Sequence, residues 1–513
     1  MKTIASKRML ALLVTVLLLL SSVGLVACES SSGSDDSTTE GDGPAVSYND
    51  KEYVPNVPEG TTFNDATFSV LSLDPGMYAS SIVQFDFEED QEDVVDAAIF
   101  KRNRRIEADY RIVFDSEYCA IEEATPALQE QILADEDTYK LIMMISREAF
   151  GQSLEGNVMP YSSLPHVDMS QPWYMTKVND EFSIYGYNVL AYTDECINGY
   201  MQSTCIFFNM DIVNNNSNIE NPYDLVQEDN WTQEKFYELA NNAKSNINDS
   251  SVFSADDGDI FGVIAEGDNF YTAMWIGAEV KTIEKDKRDM PMYTATTNER
   301  LIDVLEILDL NLKMEGFYCN TWSQFSDVVG GGDSQREAAM QYFSEGGGLF
   351  RVGTVGQIQL LRSMEADFGI VPLPKYDDSQ ETYYSRFIDG WLHVVPSSVR
   401  ATEMTGVILE ALGAESKNLV IPAFFDVALD NKYVRDEDIE RTREMLDIIF
   451  NNVTMDLGET AWQNYIRNPI LSAIESGDGA FSSTLAGITT IAEEQCINLT
   501  LEKIVELQAG MKD

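Results

Sequence analysis

The sequence predicts an α/β protein with largely parallel sheets, arranged as two domains. Two observations carry this prediction. Segments of strand and helix character alternate along the chain, and a hydrophobic fraction of 44% with 10% aromatics over 513 residues supplies a large buried core. Residues 67–71 read as a first strand and 94–109 as a helix, followed by 141–145 as a fully buried strand and 368–371 and 392–395 as later ones. Met404, Val407, Ile408, Ala411 and Leu412 recur at helical spacing and form an apolar stripe. Trp231 and Phe236 flank Thr232 as a hydrophobic staple flanks an N-cap, which makes Trp231 structural.

The chain opens with Lys2, Lys7 and Arg8 ahead of an apolar run from Met9 to Leu20 that is too short to span a bilayer. Leu25-Val26-Ala27-Cys28 follows and resembles the lipobox of bacterial lipoproteins, in which cleavage precedes the cysteine and the thiol carries lipid. The resemblance implies a signal peptide over 1–27, lipidation at Cys28 and a position on the extracellular face of the membrane. The plainer alternative is an ordinary secretory signal with Cys28 as a bystander. Residues 28–62 are rich in Ser, Gly, Asp, Glu, Thr and Pro and read as a flexible tether. No second long apolar run follows, so no membrane-spanning helix is expected beyond the leader.

The formal net charge is −52, which disfavours nucleic acid and anionic lipid surfaces as partners and favours solubility and self-repulsion. Six cysteines leave five if Cys28 is lipidated. Cys196 and Cys205 are close enough in sequence to bridge, whereas Cys119, Cys319 and Cys496 show no metal-site spacing. The two histidines, His166 and His393, belong to no zinc motif, and no nucleophile elbow or phosphate loop is present. The glycine clusters at 330–332 and 346–348 read as turns. Acidic pairs such as Asp256-Asp257 occur by chance among 86 acidic residues. Neither a metal nor a cofactor is expected. The basic run Lys101-Arg102-Asn103-Arg104-Arg105 reads as a solvated helix face making local ion pairs.

Several segments, taken in order, resemble extracellular solute-binding proteins of bacterial ABC importers, the broad family of maltose-binding and other oligosaccharide receptors. They are Asn221-Pro222-Tyr223-Asp224-Leu225 leading to Trp231-Thr232, Glu266-Gly267-Asp268-Asn269-Phe270-Tyr271, Phe350-Arg351-Val352-Gly353-Thr354, Asp367-Phe368-Gly369-Ile370-Val371-Pro372, and Glu410-Ala411-Leu412 ahead of Pro422-Ala423-Phe424-Phe425-Asp426. The resemblance implies a two-lobe periplasmic-binding-protein-like fold with a hinge and a ligand cleft between the lobes. One lobe is expected over 63–204 and 362–412, the other over 205–361 and 413–513, with the motif at 350–354 near the hinge.

A sugar offers apolar C–H faces for stacking and hydroxyls for charge-assisted hydrogen bonds. On that chemistry and the resemblance, the ligand-site candidates are Asp74 and Tyr78 after the first strand and Ser146 and Arg147 after the buried strand. Asp268, Asn269, Tyr271 and Trp275 follow in the second lobe, with Trp391 at the start of a strand and Trp462 near the end. Arg147-Glu148 stands where related sugar receptors carry Asp-Arg. For Trp275 and Trp391, core packing and site remain equal alternatives; Trp173 reads as packing, Phe424 and Phe425 as core, and Asp426 as a further candidate. The expected function is a monomeric, non-catalytic, lipid-anchored receptor that captures a carbohydrate and delivers it to ABC permease subunits. The rivals are a surface glycoside hydrolase, a non-transport adhesion or sensor module, and a receptor for a peptide or polyamine.

Overall fold

The computed structural model describes residues 52–510, apart from 78–81, 189, 249, 251, 331, 364–366 and 429–437. The leader, Cys28 and most of the tether lie outside the described residues, as does Tyr78. No helix among the described residues is long and apolar enough to cross a membrane.

Two five-stranded sheets organise the chain. The first runs in the order Ile112–Cys119, Ala66–Leu73, Leu141–Ile145, Trp391–Pro396, Val158–Met159. Its first three strands are parallel, in a register that sets Ala66 opposite Ile112 and Leu73 opposite Cys119, and Trp391–Pro396 runs antiparallel to both its neighbours. All five residues of Leu141–Ile145 are buried, which explains why this strand carries no alternation in sequence. The helix Val94–Tyr110 starts at Asp93, whose carboxylate accepts the Val95 and Asp96 N–H groups, and ends where Arg111 turns left-handed. Against it lies Thr402–Glu415, which is buried from Met404 to Glu415, well beyond the expected stripe. Gly413 permits this close packing, since a Cβ there would stand 2.4 Å from the Trp173 ring. Phe68, Val70, Leu141, Val407, Ile408, Leu412 and Trp173 share one apolar core.

The second sheet runs Tyr318–Asn320, Phe261–Ala265, Gly348–Thr354, Thr204–Asn209, Phe368–Val371. The first three strands are parallel and Thr204–Asn209 opposes both its neighbours. Trp231 is fully buried, donates from Nε1 to the Pro372 carbonyl at 2.9 Å and packs 6.1 Å from the Phe236 ring, as a staple should.

The chain crosses from the first sheet to the second after Val158–Met159 and back before Trp391–Pro396, and leaves the first lobe again after Ile421–Ala428. The passages meet in a small hydrogen-bonded ladder in which Ser385–Arg386 pairs with Val453–Thr454, Phe387 bridges Ser203, and the Ile388 N–H reaches the Gln202 carbonyl at 3.3 Å. This ladder occupies the place of the hinge in a two-lobe fold, where the passages between the lobes meet. It corrects two expected boundaries. Phe368–Val371 belongs to the second sheet, so the return to the first lobe follows Val371 and not residue 361. Helix Ile421–Ala428 packs on Val94–Tyr110, so the first lobe extends beyond 412, and the terminal helix Leu499–Gly510 also packs on the first lobe's Ser146–Leu154. A buried apolar strand reads the same whichever sheet it joins, and its partner decides.

The segment 350–354 lies in the central strand of the second sheet, buried throughout, and its end adjoins this ladder, since Thr354 pairs with Thr204 and the Val355 N–H reaches the Ser203 carbonyl at 3.0 Å. Two further expectations are corrected. Cys196 and Cys205 are free thiols, as are Cys119, Cys319 and Cys496. In the basic run Arg104 and Arg105 do make surface ion pairs, with Asp86, Glu107, Glu52 and Glu415. Arg102 is buried instead, donating to the Glu195 carbonyl at 2.8 Å and to Ser416 Oγ at 3.0 Å, with Asn103 buried beside it.

Candidate functional site

In both sheets the candidate ligand residues Asp74, Ser146, Arg147, Asp268 and Asn269 follow the C-terminal ends of parallel strands, where the turns are free of the ladder. Leu141–Ile145 runs straight into the helix Ser146–Leu154, whose first N–H donates to the Gly390 carbonyl at 2.9 Å. Ser146 Oγ and the Arg147 guanidinium both bond to the Asp389 carboxylate, which also takes the Arg147 N–H at 3.1 Å. Asp389 thus draws Ser146 and Arg147 into one cluster. Asp74 follows the first strand, exposed, and accepts the Gly76 N–H at 2.9 Å.

Across from these, Phe261–Ala265 ends at Glu266, which forms a buried two-point pair with Arg351 at 2.6 and 3.1 Å beneath the start of the helix Gly267–Gly277. Asp268 and Asn269 occupy that helix's first turn, half-buried. Asp268 accepts the Trp322 indole N–H at 3.2 Å, and the Arg336 guanidinium lies 5.1 Å over the same indole. Trp322 is held there because Asn320, at the end of its strand, caps the following turn by accepting the Trp322 backbone N–H at 3.0 Å.

A third group joins the two halves. Arg386, on the hinge ladder and fully buried, donates to Asn269 Oδ1 at 3.1 Å and binds Glu459. Arg467 stands 3.7 Å from the same Glu459, within electrostatic reach of both Asp268 and Asp389, and burial holds its guanidinium below its usual range. Beside Asp74 a cavity of 220 Å³ is lined by Pro75, Gln84, Phe87, Asp96 and Ile197 from the first part of the chain and by Gln359 from the segment after the second sheet's central strand. Burial and the neighbouring Asp93 push the Asp96 carboxyl up to about 6. A larger groove of 1110 Å³, with Asn209, Asp211, Glu337 and Gln341 in its wall, lies at the opposite strand ends of the second lobe.

The sequence-predicted aromatics fare differently. Trp275 is fully buried and belongs to the core. Tyr271 is 4% exposed, packed against Phe270 and Tyr318, and burial pushes its phenol up to about 12. Trp391 begins its strand but is buried, its N–H held by Asn198 Oδ1 at 2.6 Å. Trp462 is buried edge-on against Phe150 at 6.3 Å, which makes it a packing contact with the helix that carries Ser146. Asp426 is exposed on the helix Ile421–Ala428 of the first lobe. Sequence reasoning missed Trp322, Arg386, Asp389, Glu459 and Arg467. Only Trp322 carried a signal, as an aromatic directly after a short strand. Among the described residues no group of three His, Cys, Asp or Glu is placed to hold a metal ion.

No protein-family model matches the sequence, and no curated protein matches it. Solved structures do match in fold. The sugar-binding protein MalE from Xanthomonas citri is 11% identical with a TM-score of 0.55, the match covering 86% of this chain and 99% of that one. A cyclo/maltodextrin-binding protein complexed with maltotetraose is 12% identical with a TM-score of 0.53, covering 85% and 98%. An ABC substrate-binding protein from Listeria monocytogenes in complex with cycloalternan is 10% identical with a TM-score of 0.51, covering 84% and 99%. The chain therefore has the two-lobe, hinged fold of the maltodextrin-binding proteins.

Proposed function

We propose that this chain is a non-catalytic receptor that captures an oligosaccharide between its lobes by hinge closure and passes it to an ABC import permease. The carrying observation is the convergence of Arg147 and Asp389 from one lobe with Asp268, Asn269 and Trp322 from the other, around Arg467. Carboxylates and guanidinium groups suit sugar hydroxyls, and a half-buried indole suits a sugar face. The solved neighbours in complex with maltotetraose and with cycloalternan support an oligosaccharide as the ligand class. Lipid on Cys28 would keep the receptor beside its permease and raise the effective concentration of captured ligand there.

A thermal-shift screen of the chain from residue 52 onward against mono- and oligosaccharides tests this reading. A sugar at a hundred times its Kd stabilises the protein by about 2.7 kcal/mol, a visible shift. Absence of any shift across the panel, or release of shorter sugars detected by chromatography, overturns it in favour of another ligand class or a hydrolase.

A further inference from the structure

Arg386 occupies a position that a purely structural ion pair does not need. Its backbone forms part of the ladder with Val453–Thr454, and the next residue, Phe387, bridges Ser203, so it touches all three passages between the lobes. Its side chain leaves the hinge and divides between two partners. Nε and Nη2 bind Glu459 Oε1, and Nη1 donates to Asn269 Oδ1 in the first turn of the helix Gly267–Gly277. Glu459 is itself fully buried, and its second oxygen has no hydrogen-bond partner among the described residues. The Glu459 pair alone would satisfy one side of the guanidinium; the fork geometry spends the other side on Asn269.

We propose that Arg386 is a positioning residue that couples the Asp268–Asn269 turn to the hinge, so that a ligand gripping that turn stiffens the ladder. This rests on the receptor reading of the same turn. The physical basis is a single rigid planar group held at one end by a buried carboxylate and at the other by the ligand-side amide. A shift of Asn269 is transmitted to the backbone at 385–388 because neither contact has room to slacken without exposing a buried charge. Lysine in place of Arg386 keeps the charge opposite Glu459 but cannot hold both partners.

The test is hydrogen exchange at the hinge amides, of which Phe387 donates to Thr454 at 2.8 Å and Ser385 to Asn452 at 3.0 Å. In the unliganded chain, Asn269→Ala and Arg386→Lys should each speed exchange across 385–388 and 452–454 by about tenfold, the effect of losing one charge-assisted hydrogen bond. Exchange in the central strand Gly348–Thr354 should stay unchanged. Hinge exchange at the wild-type rate in Asn269→Ala overturns the proposal, and a general rise in exchange throughout the second lobe does so too, since it marks mere loss of stability. If Arg386→Lys melts, Asn269→Ala decides alone. A second arm uses whichever sugar shifts the wild-type melt: it should protect the hinge amides in wild type and fail to do so in Arg386→Lys. If no sugar shifts wild type, the receptor reading fails while the unliganded arm still decides the coupling.

Discussion

Trp275 and Trp322 exchange the roles that spacing suggests. Trp275 lies on the helix Gly267–Gly277 next to three ligand-type residues, yet it points into the core with its indole nitrogen lacking a partner among the described residues. Trp275→Ala should cost about 3 to 5 kcal/mol in denaturant unfolding, whereas Trp322→Ala, at a half-buried ring, should weaken sugar binding with little loss of stability. The reverse pattern would put Trp275 in the site. Asp96 carries a second residue-scale prediction. Asp96, Asp194 and Asp456 are each raised from 3.8 to about 6, chiefly by burial. Each therefore holds its proton more tightly folded than unfolded, and the stability this gives is complete below about pH 4 and lost as pH rises through 6. The melting temperature should climb as pH falls from 7 to 5, helped by relief of self-repulsion at net charge −52. Asp96→Asn, at the partly open end of the trio, should flatten that dependence and raise the melt at pH 7; an unchanged pH profile would refute the assignment.

Among the elements, the two helix starts at Ser146 and Gly267 do most to build the site. Each begins directly at the end of a fully buried strand, so its first-turn side chains are delivered to the same edge as the neighbouring strand ends. Ser146 is fully buried against Asp389, and Arg147 reaches the same carboxylate, so Asp389→Ala removes the acceptor for both side chains. It should cut sugar affinity at least about tenfold, read by calorimetry, while Asp389→Asn should keep the Ser146 contact and lose the ion pair. The strand ends in the first lobe were legible because Leu141-Ile142-Met143-Met144-Ile145 has no polar interruption before Ser146. Asp389 was not legible as a partner, because nothing in a loop sequence says which strand end it folds against.

For the whole molecule, contacts beyond the ladder also join the two lobes. A hairpin of the second lobe around Ile283–Lys285 and Pro291–Tyr293 clasps the first lobe's Ser183–Ile184 and Tyr187–Asn188 hairpin. Lys281 pairs with Glu181, and the Tyr185 N–H, Ser183 Oγ and Gly186 N–H all reach Asp289, at 2.9, 2.6 and 3.0 Å. Asp289 sits at φ 62, where glycine is unstrained, so Asp289→Gly removes the side-chain acceptor without a backbone penalty. The unliganded variant should be larger by small-angle scattering and bind sugar more weakly; a superimposable scattering profile would show that the clasp does not restrain the lobes. The sequence by itself determined the alternation of strands and helices, the structural role of Trp231 and the strand-end positions of Asp74, Ser146 and Arg147, because hydrophobic period and turn chemistry are local. Tertiary structure alone decided that Phe368–Val371 joins the second sheet, that Arg102 is buried and Trp275 is core, that Asp389 gathers Ser146 and Arg147, and that Arg386 links Asn269 with Glu459. Those outcomes depend on partners more than a hundred residues away in several cases, and a buried charge or an apolar strand carries no mark in its own sequence of the group that will satisfy it.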